Sequence, residues 1–228
     1  MPTKKIKPHH QPVYEDDHLL VLSKPRGMLT VGNKPGQKNL LDSIKRQYQS
    51  KNIRLRPLNR LDRGTSGIVL FAKTRECFEE AVMGKKFSGT TKTYLALIKG
   101  IPGKPSNTIT FTLPSRQDKR KLLPAKTKYK VLETYRLPGG KVSLIEAKIS
   151  SGRFHQIRRH LEKIHHPLLM DSEYMDRKDF NHYKKIVGFY HYFLHSHRIE
   201  LEHFVTGETL VIEAPLPKEF TKTIKRLA

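Results

Sequence analysis

The sequence predicts an α+β fold in which helices and loops flank a mixed, mostly antiparallel sheet. Apolar runs typical of strands outnumber the amphipathic stretches typical of helices, and turn residues join several strands into hairpins. No linker rich in Pro, Gly or Ser divides the 228 residues, a length that suits one domain. We therefore expect a flexible basic tail over 1–12 and a single domain over 13–228.

Each strand is indicated by a short apolar or alternating run. Strands are expected over 18–23, 68–72, 93–98, 129–134 and 142–150, with two more within 195–213. Alternation within the third of these strands places Tyr94, Ala96 and Ile98 on one face.

The helices are indicated by apolar residues at helical spacing, two of them behind a capping side chain. Asn39 can cap a helix that runs to about Gln49, and Thr74 can cap one that runs to about Lys86. Two further helices are expected over 154–164 and 217–227. The basic stretch 114–130 is expected to be a loop that leads into the strand beginning at Tyr129.

The chain is strongly basic, because 44 Lys and Arg residues against 21 Asp and Glu residues give a net charge of +23. Such a surplus points to a polyanionic partner. Basic clusters could line a track for phosphates, although each one taken alone could equally be a solvated surface. These clusters are Lys85-Lys86, 116–121, Lys126-Lys128-Lys130 and Arg158-Arg159.

Several classes of protein are excluded by composition. No run of 18 apolar residues could cross a membrane, and the first eight residues lack the apolar core of a secretion signal. A cytoplasmic protein is therefore expected, and the basic amino end leaves a mitochondrial or nuclear location as the alternative. Cys77 is the single cysteine, which excludes a disulfide framework. Histidines cluster at 155/160, 165/166 and 191/195/197, but such pairs are common and no cysteine joins them, so no metal site is expected.

The segment from Asn59 to Gly67 carries the sharpest candidate for chemistry. Asp62 lies between Arg60 and Arg63, and neighbouring cations favour the charged carboxylate that a nucleophile or a base requires. Gly64 and Gly67 permit unusual backbone torsions, while Thr65 and Ser66 can hydrogen-bond the loop backbone. The residues alone leave a purely structural Asp–Arg turn as an alternative.

Ordered motifs along the chain resemble those of the RluA-type RNA pseudouridine synthases. The run Arg60-Leu61-Asp62-x-x-Thr65-Ser66-Gly67 resembles the family signature, and Gly152-Arg153-x-His155-Gln156-Ile157-Arg158 resembles its C-terminal motif. The resemblance spans roughly residues 13–220, and several motifs in order are more specific than any one of them. Further matches lie at Lys24-Pro25-x-Gly27, Lys92-x-Tyr94-x-Ala96, Ala125-x-Thr127-x-Tyr129, His166-Pro167-Leu168-x-x-Asp171, Leu194-His195 and Ala214-Pro215-Leu216-Pro217.

The resemblance implies a pseudouridine-synthase-like sheet and an enzyme that isomerises specific uridines of tRNA or rRNA without cofactor or metal. Asp62 would be the catalytic residue. It would either attack C1′ of the ribose or take the C2′ proton, and the sequence leaves both open. RNA is the expected partner, as a stem-loop or junction because proteins read unstacked loop bases. DNA and membranes are not expected as partners, and a monomer is expected.

The resemblance also assigns roles to other residues. Tyr94 would stack on the target uracil and is a candidate base at C5, although a core aromatic is the alternative. Arg158 would pair with Asp62, although a solvated arginine is the alternative. Arg60 would fill the gap left by the flipped base, and Leu61 would form pocket wall. Pocket support would come from Thr65, Ser66, Gly67, His155 and Gln156.

The chain departs from the family pattern after its C-terminal motif. Met170 and Met175 stand where family members often have Gly, and the segment 175–192 aligns with no family motif. No S4-type RNA-binding domain is expected. Two other functions remain open, namely a catalytically silent RNA-binding or ribosome-assembly protein, and a base-removing glycosylase or nuclease that would need a second carboxylate.

Overall fold

The computed structural model describes residues 11–32, 34, 36–49, 51–115, 118, 120–138 and 140–228. Within these ranges ten strands form one sheet, and helices flank it, so the predicted α+β class is confirmed. The expected tail lies outside the described residues up to residue 10. Its predicted end at residue 12 is wrong by one position, because Pro12 already opens the first strand and pairs with Leu22.

The sheet is mixed and mostly antiparallel, as predicted. Its main order is β1-β2-β4-β9-β5-β8-β7-β6, while β10 pairs with β9 and β3 pairs with β4. The strands are β1 Pro12–Glu15, β2 Leu19–Lys24, β3 Arg56–Pro57, β4 Ser66–Ala72, β5 Thr91–Lys99, β6 Ser106–Pro114, β7 Leu122–Leu137, β8 Gly140–Ile149, β9 Leu194–Glu202 and β10 Thr209–Glu213. Only β4 and β9 run parallel among the described strand pairs, through Ser66 opposite His195 and Gly67 opposite Ser196.

Five α-helices are described: α1 Leu40–Gln49, α2 Arg75–Val82, α3 Gln156–Lys163, α4 Arg177–Val187 and α5 Lys218–Leu227. Asn39 caps α1 as predicted, since its Oδ1 accepts from the backbone N–H of Asp42 at 2.9 Å. Helix α2 is shorter than predicted and ends at Val82. The helix does not continue to Lys86, because Lys85 has a left-handed conformation and a separate 3-10 turn follows over Lys86–Gly89. No described helix has the length and apolar character needed to cross a membrane.

Helix α4 lies in the segment that matched no family motif. Asp176 caps it by accepting from the backbone N–H groups of Lys178 and Asp179, and Gly188 ends it at a φ of 68°. This pair of boundary residues was the available signal for the helix.

The predicted basic loop over 114–130 is mostly strand. Strand β7 begins at Leu122, and its buried residues Ala125, Thr127 and Tyr129 alternate with exposed lysines. The lysines obscure the strand in the sequence, because one of its faces is open to solvent and carries charge instead of apolar side chains. Arg116, Gln117 and Lys119 of this stretch lie outside the described residues.

The two faces of the sheet carry different cores. The face of β5 that carries Tyr94, Ala96 and Ile98, here the front face, packs with apolar residues of α1 and α3. The opposite face at β5, here the back face, carries Leu97 and packs with residues of α4 and α5. The assignment of Tyr94, Ala96 and Ile98 to one face is therefore confirmed.

Gly67 lies where β4 meets β9. Its φ is 107°, and a Cβ built on it would lie 2.1 Å from the backbone oxygen of Ser196. Neighbouring Ser66 hydrogen-bonds Nδ1 of His195 through its Oγ at 2.9 Å. Both residues therefore join the two strands directly behind the loop that carries Asp62.

We expect Gly67→Ala to lower the free energy of unfolding by about 3 kcal/mol, because the methyl group meets backbone that cannot move aside. Gly207→Ala is the matched control, since Gly207 has a φ of 76° but open space around it. The control should lose only about 1 kcal/mol. Urea unfolding measures both, and equal losses would contradict the steric argument.

Candidate active site

A cleft of about 740 Å³ on the front face gathers most of the predicted site residues. Its lining includes Arg60, Leu61, Asp62, Thr65, Tyr94, His155, Gln156 and Arg158. Ser66 and Gly67 are not part of the lining. The loop before β4, the strand β5 and the start of α3 thus converge on one cavity, although they are far apart in the sequence.

The loop that carries Asp62 is held by hydrogen bonds on both sides of that residue. The Leu61 backbone N–H donates to Oγ1 of Thr30 at 3.1 Å, and the Thr65 N–H donates to the Asp62 carbonyl at 3.0 Å. Arg63 Nε donates to the carbonyl of Gly27 at 3.0 Å. The Asp62 side chain is about one-third exposed, at 34%, so the loop holds a carboxylate that a substrate can reach.

The Asp62 carboxylate faces two side chains from the start of α3. Arg63 is directed to Gly27, whereas Arg158 Nη1 lies 4.0 Å from Asp62 Oδ2. His155 Nε2 lies 3.6 Å from Asp62 Oδ1. The ion pair between Asp62 and Arg158 therefore joins the Asp62 loop to α3.

Arg158 is buried, and its strongest partner is Asp171. Its Nε and Nη2 donate to the two Asp171 carboxylate oxygens at 2.7 and 2.8 Å, and Nη2 also donates to Glu173 at 2.9 Å. Burial opposes the charge of Arg158, but the bonds to Asp171 and the nearby carboxylates outweigh burial, so the pKa of Arg158 rises above its ordinary value. The alternative of a solvated arginine is wrong, since Arg158 is 5% exposed.

Two tyrosine rings enclose the Arg158 guanidinium. Its central carbon lies 4.7 Å from the ring centre of Tyr174 and 4.6 Å from that of Tyr192. Tyr192 also covers Gly64, where a Cβ would lie 2.6 Å from the Tyr192 Cζ. Tyr192 therefore connects the arginine with the Asp62 loop. Sequence analysis missed this residue, and its position in a segment without a family motif gave no signal.

His155 lies between the arginine and the carboxylate. Arg158 Nη1 lies 3.0 Å from Nε2 of His155, and Tyr174 Oη lies 3.0 Å from Nδ1. Because a guanidinium only donates, Nε2 accepts and the ring proton lies on Nδ1. Burial lowers the pKa of His155, with Asp62 opposing and Arg158 adding to the shift, which agrees with a neutral ring.

Gln156 anchors the start of α3. Its Oε1 accepts from Ser151 Oγ at 2.8 Å and from the Arg153 N–H at 3.1 Å, and its Nε2 donates to the Lys126 carbonyl at 2.9 Å. The amide therefore fixes α3 on β7 and sets where His155 and Arg158 point.

Tyr94 and Lys24 are buried beside the Asp62 carboxylate. Burial raises the pKa of Tyr94 to about 12, and the Asp62 charge adds to this, so the phenol is neutral near pH 7. Burial lowers the pKa of Lys24 to about 8, with Asp62 opposing. Lys24 Nζ donates to the carbonyls of Pro25 and Met28 at 3.0 and 2.7 Å. Sequence analysis quoted Lys24 within a motif but gave it no role.

The described residues of the basic clusters have different surroundings. Arg158 is buried and ion-paired, and Lys86 pairs with Glu80 at 2.7 Å. Lys126, Lys128 and Lys130 are exposed but do not line the cleft. Arg60, Arg63 and Arg153 are the further cations of the cleft lining.

Across the part of the chain that the structure describes, no three His, Cys, Asp or Glu side chains group closely enough to hold a metal ion. The histidines have other surroundings. His195 hydrogen-bonds Ser66, and burial lowers its pKa to about 4. His160 packs edge-on against Phe111 with ring centres 6.1 Å apart.

Comparison with known proteins agrees with this geometry. The family model described as RNA pseudouridylate synthase matches residues 18–163. Ribosomal large subunit pseudouridine synthase C of Pasteurella multocida is 32% identical over 230 residues, which cover 95% of this chain and 68% of that protein. The protein of the same name from Salmonella typhi is 30% identical over 240 residues, which cover 97% of this chain and 74% of that protein.

A solved structure titled human RNA Pseudouridylate Synthase Domain Containing 4 has the same fold, with a TM-score of 0.76 at 20% identity over 95% of this chain and 92% of that one. Fold and sequence together place the chain among the enzymes that isomerise uridine in RNA. The chain belongs to the RNA pseudouridylate synthase family, which confirms the resemblance drawn from its motifs.

We expect Tyr192→Leu to lower the isomerisation rate about tenfold with little change in RNA affinity, because a desolvated cation–π contact on Arg158 is lost. Tyr192→Phe keeps the ring and should keep most of the rate. Tyr190→Leu is the control, since Tyr190 is 60% exposed in the same segment. Single-turnover kinetics, RNA binding and thermal unfolding are measured together. A wild-type rate for Tyr192→Leu would contradict the positioning role.

Proposed function

We propose that this protein isomerises one or more uridines of ribosomal RNA to pseudouridine, with Asp62 as the catalytic residue. The observation that carries the proposal is the accessible Asp62 carboxylate, which shares a cleft with Arg158 and Tyr94. The names of the relatives, which refer to the large ribosomal subunit, favour rRNA over tRNA. An RNA stem-loop as target, a monomer as the working state and the cytoplasm as location belong to the same proposal.

The reaction divides among the cleft residues. The target uridine leaves its stack and enters the cleft, where Arg60 at the exposed rim fills its place and Leu61 contacts the base. Asp62 attacks C1′ or takes the C2′ proton, and the bond from N1 to C1′ breaks. The base turns and C5 bonds to C1′. In the first route this breaks the bond between Asp62 and C1′, and in the second Asp62 returns the proton to C2′. The C5 proton then leaves and N1 gains a proton. Arg158 holds the Asp62 carboxylate in place, and His155 packs beside it.

The ion pair between Glu173 and Arg158 disfavours a hydrolytic function. Glu173 is a second carboxylate of the cleft lining, which a base-removing glycosylase would require as its acid. Burial acts to raise the pKa of Glu173, but Arg158 and His155 outweigh it and the pKa is lowered. An ionised, ion-paired Glu173 is unsuited to protonate a leaving group, which favours isomerisation with one catalytic carboxylate.

We expect Asp62→Asn to reduce tritium release from C5-tritiated, unmodified ribosomal RNA by at least about 1000-fold, because the amide is neither nucleophile nor base. RNA binding should persist. Asp17→Asn is the control, since Asp17 is exposed and outside the cleft lining. Release by Asp62→Asn at the wild-type rate would overturn the role of Asp62. Tight binding without release by the wild type would favour a silent RNA-binding protein.

We expect Tyr94→Phe to retain RNA affinity, because the stacking ring remains, and to lower the isomerisation rate by about 100-fold, because the phenolate that would take up the C5 proton can no longer form. Since burial raises the pKa of Tyr94 to about 12, the wild-type rate should rise with pH through the range below 12. The variant should lack this rise.

Tyr129→Phe is the control for the loss of a hydroxyl. Tyr129 is a buried front-face tyrosine outside the cleft lining, and its Oη donates to the Lys104 carbonyl at 3.1 Å. Full turnover and an unchanged pH profile of Tyr94→Phe would show that Tyr94 only stacks.

A further inference from the structure

The outward side of β7 presents three lysines in a row. Lys126, Lys128 and Lys130 are all exposed, and strand geometry separates successive members by about 7 Å. Lys148 on β8 stands directly opposite Lys128. We call these four residues the lysine face. Among the described residues, Lys126, Lys128 and Lys130 make no ion pair.

Hydroxyl side chains border the lysine face. On β6, Thr110, Thr108 and Ser106 pair with Lys126, Lys128 and Lys130, and all three hydroxyl residues are exposed. One carboxylate interrupts the charge, since Glu146 stands opposite Lys130 and pairs with Lys148 at 3.4 Å. Lysines beside serine and threonine hydroxyls are the side chains that contact nucleic-acid phosphates.

Protection of a sheet edge does not explain these charges. Lysines are often placed on edge strands, where they prevent pairing with other chains. The lysines, however, lie on β7, which is paired with β6 on one side and with β8 on the other. The edge strand next to β7 is β6, at one end of the strand order, and its exposed residues are mostly Thr, Ser and Asn.

The lysine face points away from the cleft. Thr127 contacts Gln156 of α3, and Tyr129 belongs to the front-face core, so the residues that alternate with the lysines face the cleft side. Side chains alternate across a strand. Lys126, Lys128 and Lys130 therefore project from the back of the sheet, and a stem-loop seated in the cleft does not reach them.

We propose that the lysine face binds the phosphate backbone of a second segment of the RNA whose target uridine occupies the cleft. The proposal rests on the proposed function and deepens it. Four cations against one carboxylate, bordered by hydroxyl groups, match the charge and the hydrogen-bonding of RNA phosphates. An RNA that contacts both faces passes around the edge strand β6, so the substrate is a large folded RNA and not an isolated stem-loop.

The test replaces Lys126, Lys128 and Lys130 together by Gln and uses two RNA probes. One is an unmodified transcript of large-subunit ribosomal RNA, and the other is a stem-loop of about 20 nucleotides cut from it. With the transcript, we expect affinity to fall at least about tenfold and the slope of log affinity against log salt to flatten by about 2 to 3. With the stem-loop, affinity and the isomerisation rate should stay near those of the wild type.

The matched control removes three positive charges from a different surface. It carries Gln in place of the exposed α5 residues Lys218, Lys222 and Lys225. An equal loss in this control would assign the effect to net charge and overturn the proposal. An unchanged affinity of the β7 variant for the transcript, or an equal loss with both probes, would also overturn it. Tritium release by the wild type reports separately on the proposed function, because transcript binding is measured without turnover.

Discussion

The buried charge of Arg158 is the constraint on which the site depends. An unpaired guanidinium at this depth would cost several kcal/mol. The two-point bond to Asp171, the contact with Glu173 and the rings of Tyr174 and Tyr192 compensate that charge and fix the plane of the group. Since Nε and Nη2 donate to Asp171 and Glu173, Nη1 is the remaining guanidinium nitrogen, and it faces Asp62 and His155. The direction of Nη1 toward the Asp62 carboxylate therefore follows from the bonds that Nε and Nη2 make to Asp171 and Glu173.

The buried arginine of the cleft and the exposed lysines of the surface differ in how their charge is balanced. Arg158 is directed by Asp171 and Glu173, so much of its charge is balanced inside the protein. The net charge of +23 therefore attracts RNA mainly from outside this cluster. The residues that orient the Asp62 carboxylate are thus different from the exposed lysines of β7.

Local patterns predicted the fold class and most of the elements, because apolar runs and caps such as Asn39 act within a few residues. They missed β6, whose exposed residues are mostly Thr, Ser and Asn, and shortened β7, one face of which carries lysines instead of apolar residues. Motif resemblance supplied Asp62, Tyr94 and Arg158. Neither source could supply Tyr192, because its contact with Arg158 arises only when the chain before β9 folds back over α3.

The two-residue parallel pairing at Ser66 and Gly67 has a mechanical consequence. It is the strand junction between the part of the sheet with β1, β2 and β4, which follows the Asp62 loop, and the part with β9, β5, β8, β7 and β6. Tyr94 and the α3 arginine belong to the second part. Because this pairing spans two residues, the position of Asp62 relative to Tyr94 and Arg158 depends on the apolar cores that continue across the junction on both faces of the sheet.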